Sequence, residues 1–89
     1  MSPRYGVRFS KSAMRALTHE LPEKVAAAFE FITGALSNNP HRVGKQLQGP
    51  LFPMYSACRG DYRILYRILD DVVLVEVVSI AHRRDVYRG

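Results

Sequence analysis

The residues best suited to chemistry in this chain form a basic set: Lys45, Arg59, Arg63, Arg67, His82, Arg83, Arg84 and Tyr87. No carboxylate stands beside them in an obvious catalytic place. Five of the eight are arginines, and a guanidinium forks onto phosphate where a lysine is more often general surface charge. Two readings follow: a solvated basic face, or a surface that contacts phosphate. If the phosphate belongs to RNA, its 2′-hydroxyl can be turned on the adjacent phosphodiester. That reaction needs a group to take the 2′-hydroxyl proton, a group to neutralise charge on the phosphate oxygens, and a group to protonate the departing 5′-oxygen. Arginines meet the second need without a metal. His82 titrates naturally near neutrality and suits either proton transfer. Tyr87 suits orientation, stacking on a base, or proton transfer at a lowered pKa. The plainer alternatives are an exposed loop histidine and an aromatic capping the core edge.

Other chemistries lack their motifs. There is no Gly-rich phosphate loop, no CxxC and no HExxH, and His19, His41 and His82 have no metal-ligand spacing, so no metal or other cofactor is expected. Cys58 is the single cysteine. It reads as a small strand residue, excludes an intrachain disulfide and suits a reducing cytoplasm. Eighty-nine residues make one domain, 1–89, with a small core. The net charge of +5 and a pI near 9.8 favour an acidic partner. The N-terminus has no apolar signal-peptide region, and the longest apolar run, Val72 to Ile80, contains Glu76 and is too short to span a bilayer. No membrane association and a cytoplasmic location are therefore expected.

The elements that must position the basic set can be read in order. Arg4 to Phe9 alternates as a first strand. Ser10 is placed to cap a short helix carrying Ala13, Met14, Leu17 and Leu21. Pro22 opens a second helix to about residue 36, with Val25, Ala28, Phe29, Ile32 and Leu36 as its apolar stripe and Ser37-Asn38-Asn39-Pro40 as its stop. The short connection between them predicts a helical hairpin. From His41 to Pro53 the periodicity disappears, predicting a connecting loop that carries Arg42 and Lys45. Met54 to Arg59 is a second strand, Gly60-Asp61 a type II′ turn, and Tyr62 to about Leu69 a third strand. Here Tyr62, Ile64, Tyr66 and Ile68 share one face, and Arg63, Leu65 and Arg67 the other. Asp70-Asp71 turns the chain into Val72 to Ile80, apolar at nearly every position and so expected to be central and covered on both faces. The order predicts an α+β fold: a strand, a helical hairpin, then a three-stranded antiparallel meander, with the helices on one face of the sheet.

Tyr55-Ser56-Ala57-Cys58-Arg59-Gly60-Asp61-Tyr62-Arg63-Ile64-Leu65-Tyr66, together with Ile80-Ala81-His82-Arg83-Arg84-Asp85-Val86-Tyr87-Arg88, resembles the RelE/ParE toxin superfamily, RelE branch. The Asn38-Asn39-Pro40 stop and the Arg42 to Leu47 segment also fit. The resemblance covers essentially the whole chain. It implies the microbial-RNase-like RelE fold and the toxin of a type II toxin–antitoxin module. It further implies a ribosome-dependent endoribonuclease that cuts mRNA in the A site without a metal, and an acidic, RelB-like cognate antitoxin that wraps the toxin. By position, it makes Arg63 the phosphate-stabilising arginine of the strand, Arg83 the arginine of the C-terminal motif, and Tyr87 the tyrosine near the scissile nucleotide. His82 falls where other members place a basic group or a general acid. Lys45, Arg59, Arg67 and Arg84 complete the expected RNA-binding set. The chain departs from some members in carrying Met54 and Ser56 at the positions of two strand lysines, and from many in carrying Cys58 at that of an arginine. Lys45, Arg59 or His82 are the residues available to compensate.

Two other function classes share these features. A ParE-like inhibitor of DNA gyrase has the same fold and needs no nuclease constellation, and the His82 to Tyr87 segment favours the nuclease over it. A basic RNA- or protein-binding module without toxicity is compatible with the composition, but the paired motifs disfavour it.

Overall fold

The computed structural model describes residues 4–19 and 22–82. Strand β1, Gly6–Phe9, leads into helix α1, Lys11–Thr18. The expected cap is present: the Ser10 hydroxyl accepts from the Ala13 amide at 3.1 Å, satisfying one of the orphan donors of the first turn. Helix α2, Pro22–Phe31, runs on into a π-helical segment, Ile32–Leu36. The second helix thus has its expected extent but not uniform geometry. Its last turns are loosened where the Thr33 hydroxyl back-bonds to the Phe29 carbonyl at 2.8 Å and Ser37 to that of Thr33 at 2.6 Å.

The segment from His41 to Pro53 is more ordered than a connecting loop. Pro40–Val43 forms a one-turn helix, α3, with proline at its start. Lys45–Gln46 forms strand β2, and Gly49–Leu51 a 3₁₀ turn. Elements of two to four residues show no period, which is why the sequence pattern does not reveal them. Strand β3, Tyr55–Arg59, strand β4, Tyr62–Leu69, and strand β5, Leu74–His82, form the meander. Gly60 has φ +60°, as the first position of a type II′ turn requires. Asp70–Val72 makes a 3₁₀ turn ended by Val73 at φ 50°.

Among the described residues the sheet has five strands, in the order β1-β5-β4-β3-β2. It is antiparallel except at one edge, where β1 lies parallel to β5 with Arg8 opposite Glu76. Beyond the meander, the short β2 supplies the other edge by pairing Lys45 with Ser56. The helices pack on one face. Ala13, Leu17, Ala28, Ile32 and Leu36 from the helical segments form one buried cluster with Ala57, Ile64, Tyr66, Val75, Val77 and Ile80 from the sheet.

The expectation that β5 is covered on both faces holds on one. The pairing slips between Leu65 and Tyr66, leaving Val78 as an extra residue of β5. Buried positions therefore run Val75, Val77, Ile80, and the bulge makes the run look apolar throughout. The bulge also docks α1: Val78 offers its carbonyl to the Ser10 hydroxyl, and the Ser10 amide donates to Val77 at 2.9 Å. The opposite face carries charge. Glu76 accepts from Arg8 at 2.9 Å and from Arg67 Nε at 3.0 Å.

Candidate functional site

Cross-strand pairing places Cys58 opposite Arg63 and Ser56 opposite Leu65. All four lie on the sheet face away from the helices, where they form the floor of a cleft of about 520 Å³. It is walled by α3 and the start of β2, which bring Arg42, Gly44 and Lys45, and the connection to β3 adds Leu47 and Leu51. Three cations thus converge on one concavity. Among the described residues, none of Arg42, Lys45 and Arg63 has an ion-pair partner within 4 Å. Such a surface attracts an anion carrying more than one oxygen.

The cleft depends on where α3 is held, and aromatic packing holds it. The fully buried Tyr66 donates its hydroxyl to the Pro40 carbonyl at 2.6 Å. Its ring stacks on Tyr55 with centroids 5.6 Å apart. Gly44 passes so close that an added Cβ would lie 2.8 Å from the Ser56 carbonyl oxygen, so the wall approaches the floor only because this position has no side chain. Outside this packing, His41 Nε2 lies 3.0 Å from Asp70 Oδ1 and its Nδ1 3.3 Å from the Tyr55 hydroxyl, while Tyr5 donates to the same Asp70 oxygen.

These bonds set a pH dependence. The Tyr5 hydroxyl, then His41, hold the Asp70 carboxyl below its ordinary range. A depressed carboxyl stabilises the fold above its unfolded value, near pH 4, and the contribution is lost as pH falls through the folded value. Asp70→Asn is therefore expected to melt below the parent at pH 7, with the gap closing as pH drops through about 4 and below. Thermal melts of the two chains across that range check this; a gap that persists unchanged in acid would rule the linkage out.

The predicted set is dispersed. Arg63 and Lys45 share the cleft. Arg59 does not join them: one alternation step places it beyond Cys58, and it lines grooves against α2 with Ala27, Glu30 and Phe31. Arg67 is held in the Arg8–Glu76–Arg67 ladder, where the two guanidiniums, Arg67 first, lower the Glu76 carboxyl below its usual range. His82 ends β5 with its backbone opposite Tyr62, so that Ala81 is the register partner of Arg63. The antiparallel pairing does bring the end of β5 beside the start of β4. Arg83, Arg84 and Tyr87 lie outside the described residues. Cys58 is an exposed strand residue on the cleft floor. Arg42, absent from the predicted set, lines the cleft because Pro40 starts a helix where the pattern indicated only a loop.

Comparison with known proteins places this architecture. The family model described as ParE toxin of type II toxin-antitoxin system matches residues 7–87. The chain belongs to the RelE/ParE toxin family. The toxin is 49% identical over 85 residues to Toxin RelE of Mycobacterium tuberculosis, covering 94% of this chain and 87% of that one. It is 48% identical over 85 residues to Toxin RelG of the same organism, covering 94% and 97%. The crystal structure of the toxin–antitoxin complex RelBE2 from M. tuberculosis superimposes with a TM-score of 0.89 at 43% identity, covering 93% of this chain and 95% of that one. The RelE-type toxin therefore has the α+β architecture predicted from its sequence. Among the described residues no helix is long and apolar enough to cross a membrane.

Proposed function

We propose that this toxin is a ribosome-dependent endoribonuclease that cleaves mRNA in the A site and is neutralised by an acidic cognate antitoxin. The observation that carries the reading is the convergence of Arg42, Lys45 and Arg63 on one cleft. The relatives named as RelE-type toxins favour it over gyrase inhibition, and the RelBE2 complex supports an antitoxin partner. In the reaction, the 2′-oxygen attacks the adjacent phosphorus, the P–O5′ bond breaks, and a 2′,3′-cyclic phosphate is left on the upstream fragment. Arg63 neutralises charge on the phosphate oxygens. Lys45 supplies a cation to the row of Ser56, directly across the β2–β3 pairing. Arg83 and Tyr87 are assigned to the phosphate and the scissile nucleotide, and His82 to proton transfer. Arg84 extends the contact to flanking phosphates. Arg59 and Arg67, outside the cleft, add to the field of the net charge of +5 and not to the reacting centre.

Reconstituted translation of a defined mRNA, with 5′ ends mapped by primer extension, tests this. Cuts are expected at A-site codons, only when ribosomes translate, and fewer as salt rises because phosphate contacts release counterions. Intact mRNA together with gyrase-dependent double-strand breaks would replace this reading with gyrase inhibition.

A further inference from the structure

No charged residue occurs between Lys45 and Arg59, and the middle of that stretch is exposed. Leu51 is 44% and Phe52 56% exposed. This tip is held by its own backbone: Phe52 donates to Gly49 at 3.1 Å, Met54 to Leu51 at 2.8 Å, and Leu47 to Met54 at 2.8 Å. Exposed apolar side chains are common on protein surfaces and call for no partner in themselves; what singles out this tip is its position. Leu51 lines the same cleft as Arg42, Lys45 and Arg63, so the apolar surface begins where the three cations end.

We propose that the Leu51–Phe52 tip is a nucleobase platform, on which one base of a single-stranded RNA stacks while a neighbouring phosphate lies among Arg42, Lys45 and Arg63. Sequence-tolerant single-strand binding combines these two components, a cationic track for the backbone and an aromatic face for a base. Leu51 packs against the sugar or base edge and Phe52 supplies the π-face. Neither residue touches the reacting atoms; both fix which nucleotide sits beside the scissile phosphate. The inference rests on the nuclease reading for its substrate, but it makes a binding prediction that needs no cleavage.

The test is fluorescence anisotropy with the whole toxin and a labelled single-stranded RNA, in the absence of ribosomes. Three probes are used: an intact oligonucleotide and two copies in which one nucleotide is abasic, at different positions. Phe52→Ala is expected to weaken binding of the intact probe about 10-fold, and Phe52→Tyr to restore it. One abasic probe should bind the parent about as weakly as the intact probe binds Phe52→Ala, and that probe should not distinguish the two proteins. Arg42→Ala should weaken all three probes alike. Phe52→Leu, which keeps the apolar area and loses the ring, should behave like Phe52→Ala; full affinity in that variant would overturn the stacking role. Equal RNA affinity of parent and Phe52→Ala, with loss of antitoxin binding instead, would make the tip a protein-docking site and overturn the proposal. Base-dependent binding in a chain that fails to cleave mRNA would sink the nuclease reading and leave the platform standing.

Discussion

Arg63→Ala is expected to lower the single-turnover rate of A-site mRNA cleavage by about 10²–10³-fold. The arginine stands exposed on the cleft floor between Cys58 and Ala81, and no ion pair in the described residues diverts its charge. On the proposed nuclease reading this group is aimed at developing charge, and removing it costs the transition state more than the ground state, so the loss should fall on the rate at saturating toxin and not chiefly on ribosome affinity. Because the side chain is exposed, its removal should change stability by no more than about 0.5 kcal/mol. Arg63→Lys should recover only part of the rate, since an ammonium is a point charge where the guanidinium is a fork. Arg67→Ala provides the contrast. Its guanidinium is bonded to Glu76, and its loss should slow cleavage far less. A threefold or smaller fall for Arg63→Ala, measured on translating ribosomes, would remove this residue from the reacting centre.

The largest effect on stability is expected at Tyr66. This side chain is fully buried, stacks on Tyr55 and fastens α3 through the Pro40 carbonyl. Tyr66→Ala should cost about 3–5 kcal/mol, a large part of the roughly 5–15 kcal/mol that holds a domain together. Tyr66→Phe keeps the ring and leaves the Pro40 carbonyl without its donor, at a cost of about 1–3 kcal/mol. The hydroxyl also sets an alkaline limit. Burial pushes its pKa up to about 12. A raised phenol favours the folded state while neutral, so this contribution is complete below the unfolded value near 10 and is lost as pH rises toward 12. Denaturant melts from neutral pH upward should show the parent losing its advantage over Tyr66→Phe in that window. An advantage that is constant with pH would place the hydroxyl in water, contrary to the structure.

What could be read from the sequence follows from the range of each interaction. The β3–β4 hairpin was legible because alternation and a Gly60-Asp61 turn are local, and together they assign Tyr62, Ile64 and Tyr66 to the core and Arg63 to the open face. The same alternation already separates Arg59 from Cys58 and Arg63, a signal that grouping residues by charge overrides. The fate of Arg67 was not legible, because its partner Glu76 is set by a register that depends on the bulge at Val78. The cleft walls were hidden for another reason. A four-residue helix and a two-residue strand carry no period, so Arg42 reads only as a loop charge, and Lys45, though it belongs to the basic set, has no place in the sheet predicted from the sequence. Nor does alternation name a strand's neighbour, and the parallel placement of β1 needed the tertiary structure.

That parallel edge bears on how the chain is made. Arg8 and Glu76 are 68 residues apart, and among the described residues β1 has no other strand beside it. During synthesis β1 must therefore wait for β5, and at about 5–20 residues per second the wait lasts on the order of several seconds. The apolar face of α1, built on Ala13 and Leu17, has its main docking surface on β5 and waits with it. The nascent chain thus presents an unpaired strand and an uncovered helix until β5 arrives, and sheet closure across so long a loop is a late step of folding.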